Sequence, residues 1–333
     1  MSSHELDLVD PEVEELRATC ARLERSLAKQ KAKTADLVEA VHAAARDAAV
    51  IVGRPQVQKP PKDRRRRSGE VALLHLTDWQ CGKVTPSFNM DVLEKRIGDF
   101  VSKVGRITGI QRADHPVRDC VVMLGGDMVE GVQIFPGQAW EVDATLFEQV
   151  FRCSKIITST ILSLSEMFEN VSVYTESGNH GRLGKRGDYP GSDNMDTLTY
   201  ALSEGASQSA ATWHHSQEFF NPVEIGAYRA MLAHGDEIKG FGGNVPAFGI
   251  IRKCNNWKAG AVDFNFHDVY LGHFHTPMTL TLADGGRVFV SGSPESDNAY
   301  AKEFCAAQGI PSQRLHYIDP AEGRITSEWT IWL

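Results

Sequence analysis

Long apolar runs are missing: no stretch of the 333 residues approaches the ~18 uninterrupted apolar residues of a membrane span, so a transmembrane reading is excluded. Paired cysteines are missing too. The six cysteines (Cys20, Cys81, Cys120, Cys153, Cys254, Cys305) are scattered with no CxxC pair, which argues against a disulfide framework or a zinc ribbon and for reduced thiols. The opening stretch MSSHELDLVDPEVEE is acidic and has no apolar core, so a cytoplasmic chain without a secretory leader is expected. Internal repeats and low-complexity tracts are absent. With 42% hydrophobic and 23% charged residues, the chain reads as globular and able to bury a core.

The net charge of −8 is unevenly spread. Residues 51–70 carry seven basic side chains against two acidic, while the rest of the chain is acidic. Such an acidic bulk speaks against indiscriminate coating of nucleic acid. Three segments follow. In residues 1–51, Asp10-Pro11 reads as a helix start, and no glycine or proline follows until Gly53. Steps of three and four pick out Val13, Leu16, Cys20, Leu23, Leu27, Gln30, Thr34, Leu37, Val41, Ala44, Ala48 and Ile51. A coiled coil that makes a homodimer and an amphipathic helix lying on its own domain both satisfy this seam. Residues 52–70 have the Pro and Arg content of a linker, whose Arg64–Arg67 run suits phosphates or a solvated hinge.

Residues 71–333 alternate short apolar runs with helical stretches. The runs are 71–77, 120–126, 171–177, 228–235, 268–273 and 287–293; helix-like segments lie near 91–110, 141–169, 193–206 and 243–258. This is the pattern of an α/β domain with strands buried on both faces. Polar residues follow the first five runs in turn. They are Asp78-Trp79-Gln80, Gly125-Gly126-Asp127, Gly178-Asn179-His180, His234-Gly235-Asp236 and Gly272-His273-Phe274-His275. Each alone is an ordinary turn or a core histidine. Together they form a donor set rich in carboxylate, imidazole and amide oxygen, the chemistry that holds two divalent cations ~3.5–4 Å apart. Without cysteine ligands, the set suits hydrolysis better than structural zinc.

These motifs resemble the calcineurin-like metallophosphoesterase superfamily, whose signature runs D-x-H, G-D-x-x, G-N-H, H, G-H-x-H. The resemblance covers 71–333. It implies a sandwich of two mixed sheets flanked by helices, here with an N-terminal helical or coiled-coil extension. It also implies two divalent ions, Mn2+ foremost, with Mg2+, Fe2+ or Zn2+ as alternatives. By the motifs, Asp127 bridges them, Asp78, Gln80 and His275 complete one shell, and Asn179, His234 and His273 complete the other. His180 is then the acid beside the scissile phosphate, and a metal-bridging hydroxide attacks in line. Gln80 departs from the pattern, which has histidine there; its amide oxygen is a weaker donor to transition metals. His75 lies within a strand and reads as a core residue.

The segment GGDMVEGVQIFPGQ resembles the exonuclease small subunit of archaeal D-family DNA polymerases, and Gly292-Ser293-Pro294-Glu295 resembles SbcD-type repair nucleases. Both resemblances imply DNA as partner and a nuclease of recombination or repair. The loop after His180 adds Arg182, Lys185 and Arg186 as candidate substrate-binding cations, with Arg182 also a candidate catalytic residue. Trp79 and Tyr189 are candidates for base stacking, though core packing suits Trp79 better. Two other readings stand beside the nuclease: a phosphatase or cyclic-nucleotide phosphodiesterase on small molecules, and a non-catalytic scaffold.

Overall fold

The computed structural model describes residues 19–23, 25, 29, 57–66, 68–135, 137–239, 245–297 and 309–333. The chain divides into two units, Met1–Ala44 and Ala45–Leu333. In the first, residues 19–23, 25 and 29 are helical; apart from Cys20 and Leu23, the heptad seam lies outside the described residues. Cys305 and Arg67 lie outside them as well.

The second unit holds two sheets. The first has strand order β11-β10-β1-β2-β3-β4. Its strands are β1 (Glu70–Leu76), β2 (Val117–Leu124), β3 (Asn170–Thr175), β4 (Thr212–His215), β10 (Ser312–Asp319) and β11 (Arg324–Trp332). The second has order β5-β6-β7-β9-β8. Its strands are β5 (Phe220–Ile225), β6 (Tyr228–Ala233), β7 (Asp268–Leu271), β8 (Met278–Thr281) and β9 (Arg287–Val290). Both sheets are mixed. β1 to β4 pair in parallel while β10 runs antiparallel to β1 and β11. β6, β7 and β9 are parallel, with β5 and β8 antiparallel at the edges.

Side-chain alternation along each strand sorts residues into layers. On β1, Ala72, Leu74 and Leu76 pack beneath α1 (Met90–Gln111), α2 (Leu146–Met167) and α3 (Met195–Ser207). Val71 and Leu73 point the other way, against Ala230, Leu232 and Tyr270 of the second sheet. The far face of that sheet, through Met231, Ala233 and Val269, packs on Ile250 and Cys254 of α4 (Ala247–Asn256). The result is two mixed sheets face to face with helices outside, the architecture expected. His75 and Trp79 are fully buried, as core residues. Among the described residues no helix is long and apolar enough to cross a membrane.

Helix starts follow their caps. The segment expected to be helical from residue 141 becomes so only at Leu146, because Thr145 caps α2 in a reciprocal capping box with Glu148. The Arg- and Pro-rich segment is fixed along much of its described length. Arg65 pairs with Asp63 at 2.6 Å and donates to the carbonyls of Arg112 and His115. Lys59 Nζ donates to the carbonyl of Glu169 at 3.2 Å.

Candidate metal centre

Strands β1, β2 and β3 of one sheet and β6 and β7 of the other run parallel within their sheets, and the loops at their C-terminal ends converge. The loop residues are bent sharply. Asp78, Gln80, Asp127, His273 and His275 all have φ between 48° and 65°, a left-handed conformation costing a side-chain-bearing residue ~1–2 kcal/mol. Cross-loop hydrogen bonds hold them there. Asp78 N–H donates to the Gly126 carbonyl and Gln80 N–H to the Asp127 carbonyl, each at 3.0 Å. Asp196, buried at the start of α3, accepts from the backbone N–H groups of Asp127, Met128, Val129 and Gly178 at 2.8–3.2 Å. Two glycines make room for the carboxylates. A Cβ at Gly178 would overlap Asp127 Oδ1, and one at Gly272 would overlap Asp78 Oδ2.

All seven expected ligands and His180 come together. Asp127 Oδ2 lies 3.0 Å from His234 Nε2, and Asp127 Oδ1 accepts the His180 backbone N–H at 2.7 Å. His234 Nε2 also faces Asn179 Oδ1 at 3.3 Å. Donor atoms of Asp127, His234 and His273 all lie within 4.8 Å of one another. On the neighbouring side, Asp78 Oδ1 is 3.4 Å from His275 Nε2, and the His273 backbone N–H donates to both Asp78 oxygens. Gln80 Nε2 is 3.4 Å from the same His275 nitrogen. The other polar atom of Gln80, Oε1, is buried without a hydrogen-bond partner among the described residues. Nε2 is the amide atom that faces His275, so a cation held between Asp78 and His275 requires the amide to turn over and present Oε1 there, which would also satisfy that buried oxygen. Carboxylate, imidazole and amide oxygen suit a hard or borderline divalent ion. The residues fit such ions.

The charges are strongly interdependent. Burial acts to raise the Asp127 pKa, but His234 and His180 outweigh it and hold the carboxyl far below its usual range. Burial acts to lower the histidines; Asp127 overrides it at His234, which is held well above neutral. Asp78 and Glu295 likewise override burial at His275 and push it up to about 10. Partial burial and the neighbouring His234 push His273 down to about 4, so it presents a neutral ring. His180 Nδ1 sits 3.0 Å from the Glu130 carbonyl and 3.2 Å from Glu130 Oε2, so its Nε2 turns toward Asp127 Oδ2 at 3.9 Å. Burial again opposes and Asp127 and Glu130 prevail, raising His180 to about 9.

Two of the three cations of the loop are paired with carboxylates. Arg182 pairs with Asp236, and Arg186 pairs with Asp236 at 3.7 Å and Glu237 at 3.3 Å. Lys185 and Tyr189 are exposed. Four residues to which the sequence assigned no place in the site shape it: Asp196, Glu130, Glu295 and Lys83. Glu130 stands three residues after Asp127, and Glu295 closes the Gly-Ser-Pro-Glu segment; their positions in those motifs were the available signal.

Position 80 yields a direct prediction. Gln80→His places the stronger imidazole donor beside Asp78 and His275. It is expected to tighten one metal site about tenfold or more and leave the other unchanged. Calorimetric titration of both variants with Mn2+ checks this; two unaltered isotherms would remove position 80 from the ligand set.

No protein-family profile and no curated protein matches the chain. Solved structures do. A predicted phosphoesterase from Streptococcus pneumoniae is 11% identical over 79% of this chain and 99% of its own, with a TM-score of 0.33. Vps29 from Entamoeba histolytica, in complex with zinc, is 12% identical over 78% and 98%, with a TM-score of 0.34. The 5'-nucleotidase of Candida albicans is 11% identical over 81% of this chain and 53% of its own, with a TM-score of 0.36. Likeness at this level assigns neither activity nor substrate.

Proposed function

We propose that the chain is a dinuclear-metal phosphoester hydrolase of the metallophosphoesterase type, acting on nucleic-acid phosphodiesters. The observation that carries the hydrolase reading is the convergence of seven donor residues from five strand ends, the buried Asp127 among them. Asp127, Asn179, His234 and His273 would hold one ion, and Asp78, Gln80 and His275 the second, with Asp127 shared. Two divalent ions, when bound, supply positive charge against a phosphate oxygen and make water nucleophilic at neutral pH. The chain's own residues do the rest. Asp127 and Asp78 keep the centre anionic enough to retain the ions. His180, anchored through Nδ1, offers Nε2–H to the departing oxygen.

Nucleic acid is supported by the two nuclease-like segments and by Lys185, Arg182 and Arg186 flanking His180. One observation favours the second reading, a phosphatase or cyclic-nucleotide phosphodiesterase on small molecules. Arg182 and Arg186 are already paired with Asp236 and Glu237, so gripping a phosphate backbone requires those pairs to open. The Mn2+-loaded protein is to be assayed on labelled single- and double-stranded DNA, bis-p-nitrophenyl phosphate and p-nitrophenyl phosphate. Cleavage of DNA and the diester supports the nuclease; hydrolysis of the small esters alone supports the second reading. No hydrolysis with both ions bound would sink the enzymatic reading and leave a scaffold.

A further inference from the structure

Two of the histidines that face the site with Nε2, His180 and His275, each have a glutamate carboxylate behind the ring. His180 Nδ1 lies 3.2 Å from Glu130 Oε2, and His275 Nδ1 lies 3.2 Å from Glu295 Oε2. Both glutamates are at most 5% exposed; His180 Nδ1 is also 3.0 Å from the Glu130 carbonyl, and Glu130 Oε2 has no hydrogen-bond partner among the described residues, so that carboxylate acts on the ring as a buried charge. The remaining oxygens of those carboxylates share one cation. Lys83 Nζ stands 3.6 Å from Glu130 Oε1 and 3.6 Å from Glu295 Oε1, with Glu141 Oε2 at 3.2 Å. The ammonium is itself buried, and the Phe135 ring covers it at 5.8 Å. Its backbone is pinned by a bridge to Val142 and by an N–H bond to the Gln80 carbonyl. Two carboxylates gathered out of water repel each other and turn away from their rings unless a cation lies between them.

We propose that Lys83 is a positioning residue that sets His180 and His275 together, acting on both through Glu130 and Glu295. It rests on the hydrolase reading, in which His275 is a metal ligand and His180 serves the leaving group. An acceptor on Nδ1, the Glu130 carbonyl at His180 and the Glu295 carboxylate at His275, leaves Nε2 facing the site, the outer arrangement that metal-binding histidines require. One ammonium thereby links the ligand set around Asp78 and Gln80 to the proton donor across the site.

The test uses Mn2+ calorimetry and bis-p-nitrophenyl phosphate kinetics on four chains: wild type, Lys83→Met, Glu130→Gln/Glu295→Gln, and the triple variant. Lys83→Met is expected to weaken one metal site about 10–100-fold, leaving the site of Asp127, His234 and His273 near its wild-type affinity. Turnover should fall while KM moves less than about threefold. In the Glu130→Gln/Glu295→Gln background, adding Lys83→Met should change neither affinity nor kcat by more than about twofold, because its intermediaries are gone. If Lys83→Met alone does not fold, Lys83→Gln, which keeps a polar group between the two carboxylates but removes the charge, makes the same comparison in both backgrounds. An equal loss in both backgrounds, or unchanged affinities in Lys83→Met, overturns the proposal. Wild type that binds two ions yet cleaves no ester defeats the hydrolase reading only, since the Lys83 effect is also read from binding.

Discussion

Asp127→Asn is expected to abolish hydrolysis, by about 10³-fold or more, the upper end of what losing one electrostatic stabiliser costs. Asparagine preserves the shape of the side chain and its Oδ1 contact with the His180 backbone N–H. What it loses is the charge that faces His234 Nε2 at 3.0 Å and that two cations would share. Its amide N–H2 would also point a donor where an acceptor is needed. Metal content by elemental analysis and turnover of bis-p-nitrophenyl phosphate are the readouts. Near-wild-type turnover with metal retained would remove Asp127 from the centre.

His180→Gln separates chemistry from metal retention. The side chain contacts Glu130 rather than completing a ring of donors, so both ions should stay while kcat falls ~10²-fold or more. Because the role is proton donation, esters with acidic leaving groups should lose less than esters with basic ones. A uniform loss across leaving groups contradicts the acid role. Collapse of metal content would make His180 a ligand instead.

The central strands were legible because β1, β2, β6 and β7 are covered on both faces and therefore read as apolar runs. So were the donors at their ends, since each follows an abrupt stop in such a run. The edge and returning strands were not. β11 alternates between exposed and half-buried residues, and β4 is a short, mostly exposed edge. β10 was hidden for a different reason: Gln313, Arg314 and His316 are buried polar residues paired inside the fold, which no hydrophobic pattern reveals. Gln313 Oε1 accepts the Thr77 N–H at 2.8 Å, bracing the residue before Asp78 from a strand that lies 236 positions away. Long-range pairing also explains the cationic loop. Asp236 ends the fourth motif and Glu237 follows it, and only folding brings them against Arg182 and Arg186. Lys83 was invisible in the same way, for its partners Glu130 and Glu295 come from separate loops.

The most direct measurement is calorimetric titration of metal-free protein with Mn2+, repeated across pH and in buffers of different ionisation enthalpy. Asp127 raises the pKa of His234 and Asp78 that of His275, and a ligand nitrogen must lose its proton to bind. Their raised pKa values mean that protons compete with metal at neutral pH and cease to compete only as pH climbs toward the His275 value of about 10. Two ions per chain are expected, with release of protons at neutral pH, affinity rising with pH, and loss of binding in Asp127→Asn. A titration showing no binding, or binding indifferent to both pH and Asp127, would contradict a two-ion centre at Asp127.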